Sequence, residues 1–311
     1  APAFRVRPGS DEGTPLPPEE PTAENPPNGA ILDYFLKAAP SGPVTLDIFD
    51  ESGKLLRGYS SSDSPARVDP QSLDIPMYWI HPPEPLSATP GMHRFVWDLR
   101  TAGVPGLRRR RSEAAGPWVV PGNYSVKLTV SAHAYTRPLI VKMDPRVKTS
   151  PEDLKKQFEL ASQVNGELSD VAKASREAEH LRLQLKSLRA QVTPGSELAA
   201  ASEDMSRKVE AAAGAPPAQD FGSFPAPRPV PDKTSLRFLI GELGALEGVV
   251  ESADAAPTPD AVTAFERIQP VLRATLSAWK EVKEKEVPRL NERLRGANLP
   301  QVTLEEAGPP N

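Results

Sequence analysis

Cysteine is absent from all 311 residues. Disulfides, thiol nucleophiles and thiolate metal sites are therefore excluded. The compartment is not decided by this, because exported bacterial proteins also lack the residue. Aromatic residues are scarce at 6%, and the hydrophobic share of 38% is lean. Excess basic charge is missing as well: 37 Lys and Arg stand against 41 Asp and Glu, for a net charge of −4. No global field draws such a chain onto nucleic acid or an anionic membrane. No apolar run approaches the ~20 residues of a membrane-spanning helix. The chain opens at Ala1 without a signal-peptide pattern, and the expectation is a piece of a longer protein.

The usual catalytic spacings are missing too. The four histidines, His81, His93, His133 and His180, never stand three or four residues apart. A zinc site built on one helix face is not indicated. There is no nucleophile elbow, phosphate-binding loop or dinucleotide fingerprint. Ser60–Ser64 is rich in hydroxyls but has no base nearby in sequence. The carboxylate pairs Glu19-Glu20, Asp50-Glu51 and Glu305-Glu306 fall in turns or tails, where water keeps them from acid–base work. Asp47, Asp50 and Gly53 have the wrong spacing for an EF-hand, and a hairpin turn explains them. No metal or cofactor is expected.

What is abundant is proline, at 37 residues. That number requires extended loops or linkers. Residues 1–29 read as a Pro-rich arm, either a loose linker or a strap anchored by Phe4 and Val6. Residues 30–147 alternate with period two. Strands are expected at Ile31–Leu36, Val44–Phe49, Leu55–Arg57, Arg94–Leu99, Tyr124–Val130 and Tyr135–Met143, with a turn at Asp50–Gly53 and a hairpin tip at Ser131–Ala134. This pattern predicts an antiparallel Ig-like or fibronectin-like β-sandwich.

The period then changes to that of a helix. Ser150, Pro151 and Asp153 form a helix start, and apolar residues recur every three or four positions from Leu154 onward. Helices are expected near 151–192, 194–213, 234–254 and 259–295, with a Pro-rich crossover at 214–232 and a tail at 299–311. Pro270 and Pro288 should kink or divide the last helix. The one-sided stripes predict an elongated antiparallel bundle over 148–298, with an inter-chain coiled coil as the rival. The fold class expected is therefore α+β with more than one domain.

Two surface features remain. Arg108, Arg109, Arg110 and Arg111 form a basic run in a loop, suited to an acidic surface, phosphate or lipid headgroups, or simply solvated. It lacks the interleaved aromatics of a nucleic-acid platform, so no nucleic-acid partner is expected. Tyr78 and Trp79 form an aromatic pair that covers a sheet edge or offers a stacking platform to a glycan.

The run Gly91–Arg100 (GMHRFVWDLR), followed by Gly116–Leu128 (GPWVVPGNYSVKL), resembles the C-terminal region of exported bacterial proteins. Their front half is a sortilin-like or BNR-repeat β-propeller, often labelled glycosyl hydrolase or sialidase-like. The arm Thr14–Pro21 with Asn25–Tyr34, and the tail Val287–Asn291 with Leu294-Arg295, are similar to the same family. The resemblance implies an exported bacterial location and an upstream β-propeller as partner. It assigns no catalytic residue to this chain, because the propeller and its Asp boxes are not in it. The function expected is a non-catalytic accessory module for binding or scaffolding. The alternatives are a fragment of a sialidase-like glycoside hydrolase and a helix-mediated oligomerisation module.

Overall fold

Strand β3 (Val44–Asp50) shows how the first half of the chain folds. Its alternate residues Val44, Leu46 and Ile48 are buried to 2% exposure or less. The residues between them face out, as a pleated strand with one solvated side requires. The same logic places β1 (Ala3–Arg5), β2 (Ala30–Leu36), β4 (Leu55–Ser60), β5 (Gly91–Trp97), β6 (Arg108–Arg109), β7 (Ser112–Glu113), β8 (Gly122–Val130) and β9 (His133–Met143). The computed structural model describes residues 1–7, 19, 27–65, 77, 84–109, 112–113, 115–214 and 233–304.

The chain divides into two compact units, Ala1–Ser162 with Ala253–Ala256, and Gln163–Ser252 with Pro257–Asn311. In the first unit, five strands form one sheet in the order β1-β9-β8-β3-β4, and β2 pairs antiparallel with β5. Val44, Leu46, Ile48, Val126, Leu139 and Val141 of the larger sheet share one buried cluster with Ala30, Leu36 and Trp97 of the pair. Each large apolar side chain removed from water there stabilises the unit by about 1.5–3 kcal/mol. The β8–β9 hairpin turns at Ser131-Ala132, with Ser131 at φ 53°, and His133 already lies in the strand. At Gly29 the φ of 142° and the carbonyl of Trp97 leave no room for a Cβ.

Helix α1 (Pro151–Leu188) starts as the sequence predicts: Ser150 Oγ accepts from the Asp153 amide at 3.1 Å. It ends at Leu188 rather than near 192. Past Leu188 the chain tightens, the Ala190 and Gln191 amides bonding three residues back to Ser187 and Leu188, and Pro194 biases Thr193 away from helical geometry. Three further helical stretches follow: α2 (Glu197–Ala213), α3 (Leu236–Val250), and α4 (Pro259–Glu281) continuing into α5 (Val287–Gly296). Ser196, Ser235 and Thr258 cap α2, α3 and α4, each accepting from the amide three residues on.

The two internal prolines act differently. Helix α4 runs through the exposed Pro270 without a break. Before Pro288 the helix widens into a π turn, Val282–Glu286, from which α5 starts. A π turn adds a residue and lets the chain absorb a proline that has no amide to donate. The second unit buries Leu168, Leu181, Leu185, Val209, Leu239, Leu243, Leu272, Trp279 and Leu294, all to 1% exposure or less.

Candidate functional site

A polar constellation of the first unit lies where β5 leaves the sheet. Trp97 is fully buried, and its Nε1 donates to the Arg100 carbonyl at 2.9 Å. Between them Leu99, also fully buried, sits at φ 59°. A branched residue rarely adopts that left-handed conformation, so the surroundings must hold it. They do so at several points. Asp98 Oδ1 accepts from the Arg100 amide at 3.1 Å, and the Leu99 carbonyl accepts from the Val119 amide at 2.9 Å. Arg57 donates to the Thr101 carbonyl at 2.8 Å, and Arg100 to that of Gly116 at 2.8 Å. The Arg100 guanidinium also lies 4.3 Å from the Trp118 ring centre. Gly116 is required, because a Cβ there would meet the Ala102 carbonyl oxygen at 2.3 Å.

The electrostatics match this packing. Burial pushes the Asp98 carboxyl above its ordinary value, opposed by the nearby Arg57 and Arg100. Burial also raises the Tyr59 phenol, and it pushes Tyr124 up to about 12. Tyr59 stacks edge-on against Phe95, and Arg57 lies 5.2 Å from the Tyr59 ring centre. Tyr124 donates its hydroxyl to the Val120 carbonyl, four residues upstream, at 2.5 Å.

Beside this corner lies a charged cluster that the sequence did not reveal. Arg5 is 1% exposed. It donates to the Val119 carbonyl at 3.0 Å and to Asp254 Oδ1 at 2.5 Å, and its guanidinium lies 5.7 Å from the Trp118 ring centre. Arg7 joins the same carboxylate oxygen at 2.9 Å. Gln157 donates to the Ala253 carbonyl at 2.5 Å, and Thr149 to that of Asp254. The strap is thus anchored by Arg5 and not by Phe4, which is 45% exposed. No local signal betrays the pairing, because 249 positions separate Arg5 from Asp254.

In the second unit, Glu177 of α1 accepts from Trp279 Nε1 at 2.9 Å and from Lys283 Nζ at 2.8 Å. The Asn291 amide pairs with both the amide and the carbonyl of Val302, and Gln184 does the same for Thr303. These two side chains pin the segment that the sequence left as a tail.

Of the residues singled out from the sequence, Arg108 and Arg109 form β6, a two-residue strand antiparallel to β7. Arg110, Arg111, Tyr78 and Trp79 lie outside the described residues. Among the described residues, no group of three or more His, Asp or Glu side chains is placed to hold a metal. None of the described helices is long and apolar enough to cross a membrane. Comparison of the chain with protein-family models, curated proteins and solved structures finds no match.

Proposed function

We propose that this chain is a non-catalytic accessory module, in which an Ig-like β-sandwich and a helical bundle present surfaces to a partner. One observation carries the reading: four polar residues of the family-like motifs are engaged by the chain's own backbone. Trp97 and Arg100 act on neighbouring carbonyls, Tyr124 on Val120, and Asn291 on Val302. A catalytic group needs a free face toward substrate, and these side chains spend their hydrogen bonds on the fold. The Tyr124 contact has the form of the tyrosine corner found in Ig-like sandwiches. Two sheets sharing one core support the same architecture. The resemblance to propeller-associated, exported bacterial proteins fits a module of this kind, with any chemistry held by the propeller.

The test is direct. The purified chain is incubated with fluorogenic glycosides, sialosides included. Rates at the buffer background are expected; turnover that scales with protein concentration and survives repurification overturns the reading in favour of a glycoside hydrolase fragment.

A further inference from the structure

The outer face of the β2–β5 pair carries the most exposed apolar side chains of the strands, Phe35 and Met92. On the larger sheet, outward positions of β3 and β8 carry Thr45, Asp47, Phe49, Ser125, Lys127 and Thr129, with the exposed Phe4 and Ile140 on β1 and β9. On β2–β5 the outward positions pair Ile31 with Val96, Asp33 with Arg94, and Phe35 with Met92. Phe35 is 64% exposed, Met92 72% and Ile31 45%. Between the two apolar pairs, Arg94 grips Asp33 through two hydrogen bonds of 2.8 and 3.0 Å. Two apolar pairs flanking one ion pair give this face the composition of a contact surface.

We propose that this face docks onto the same face of a second copy of the chain, about a two-fold axis parallel to the strands. Charge complementarity selects both the occupant and the axis. Rotation about that axis lays β2 of one copy over β5 of the other. Each Asp33 then faces Arg94 of the second copy, and the two ion pairs close into a ring of four alternating charges. The apolar ends match as well. Ile31 meets Val96, and Phe35 meets Met92, a ring on a thioether. A two-fold axis perpendicular to the strands would instead set Asp33 on Asp33 and Arg94 on Arg94, which costs free energy.

Two strands of seven residues span roughly 23 Å by 10 Å. That footprint falls short of the ~1,000 Å² of total buried surface that a stable complex needs. The self-association is accordingly weak, with dissociation constants in the micromolar-to-millimolar range. It is independent of whether the chain is catalytic, so the glycoside assay and the experiment below fail separately.

Sedimentation velocity of the full chain over that concentration range is the test. The wild type shifts from monomer to dimer as concentration rises. Asp33→Arg and Arg94→Asp each put like charges across the axis and weaken association at least about tenfold, 1.4 kcal/mol. An equimolar mixture of the two recovers it, because a pair of copies with Arg at both positions in one and Asp at both in the other is complementary again. Phe35→Ser with Met92→Ser abolishes it. All four side chains are exposed, and far-UV circular dichroism confirms that the variants fold. A monomer at every concentration, association indifferent to these substitutions, or a mixture no tighter than its components overturns the proposal.

Discussion

A buried guanidinium illustrates how single residues hold the first unit. Arg5 and Asp254 are 1% and 6% exposed, so each charge depends on the other for its solvation. Removing one partner leaves the other stranded, which costs about 3–5 kcal/mol. Asp254→Ala is therefore expected to lower the unfolding free energy of the first unit by that amount in urea titration. The additional replacement of Arg5 by Met should return part of the loss. Tyr124→Phe removes a hydroxyl donor to a backbone carbonyl and should cost about 1 kcal/mol. The phenol also gives a pH signature. Its folded value of about 12 lies above the ordinary 10.0. The stability linked to keeping Tyr124 protonated is complete below pH 10.0 and is lost as pH rises through about 12. Alkaline unfolding, followed by tyrosinate absorbance and circular dichroism together, should be shallower in Tyr124→Phe.

The same residues show what the sequence discloses. The inward face of β3 was readable because alternation is local. The Tyr124 position was readable as an inward strand residue, but its hydroxyl contact was not, because it depends on how the Val120–Gly122 corner turns. Arg5 was invisible: its partners come from residues 119 and 254, and a lone Arg in a Pro-rich arm looks solvated. Leu99 was expected to continue a strand. Instead the chain turns there, held by amide and carbonyl contacts to the 116–119 segment.

At the scale of elements, the start of α1 was legible, while of the two prolines expected to kink or divide the last helix only Pro288 coincides with an irregularity. Ser150 and Thr258 each stand ahead of an apolar stripe, and capping needs only short-range geometry, whereas the cap at Ser196 starts α2 later than the expected 194. The two prolines of the last helix look alike in sequence yet differ in effect. Pro270 is exposed and the helix passes through it, whereas Pro288 is preceded by a π turn. Replacing Pro270 by Ala restores an amide and relieves the ring's crowding, gains partly offset by a more flexible unfolded chain. A net stabilisation of about 1–2 kcal/mol is expected, read as a higher melting temperature of the second unit. A loss of stability would show that the proline ring is needed in place. Asn291→Ala should act in the opposite direction. It strips partners from both the amide and the carbonyl of Val302, which is 5% exposed, and should cost about 1–3 kcal/mol. Hydrogen exchange at residues 299–304 should rise in this variant while exchange in α2 is unchanged.

Over the whole molecule, one theme joins the two units: conspicuous polar and aromatic side chains close the fold upon itself. In the first unit they clamp a left-handed turn and an N-terminal strand. In the second they join α1 to α4 through Glu177, Trp279 and Lys283, and pin residues 302–303. Ile31, Phe35 and Met92 on the β2–β5 face are among the apolar side chains that stay exposed. This organisation is what the proposed role of an accessory module rests on. The most direct test concerns Arg100, which carries the motif charge at the β5 corner. Its guanidinium is bonded to the Gly116 carbonyl and stacked on Trp118. Urea unfolding of Arg100→Leu, followed by the fluorescence of Trp97 and Trp118, should show a loss of about 2–3 kcal/mol. Wild-type stability in that variant would mean that Arg100 is held ready for a ligand, and it would contradict the account.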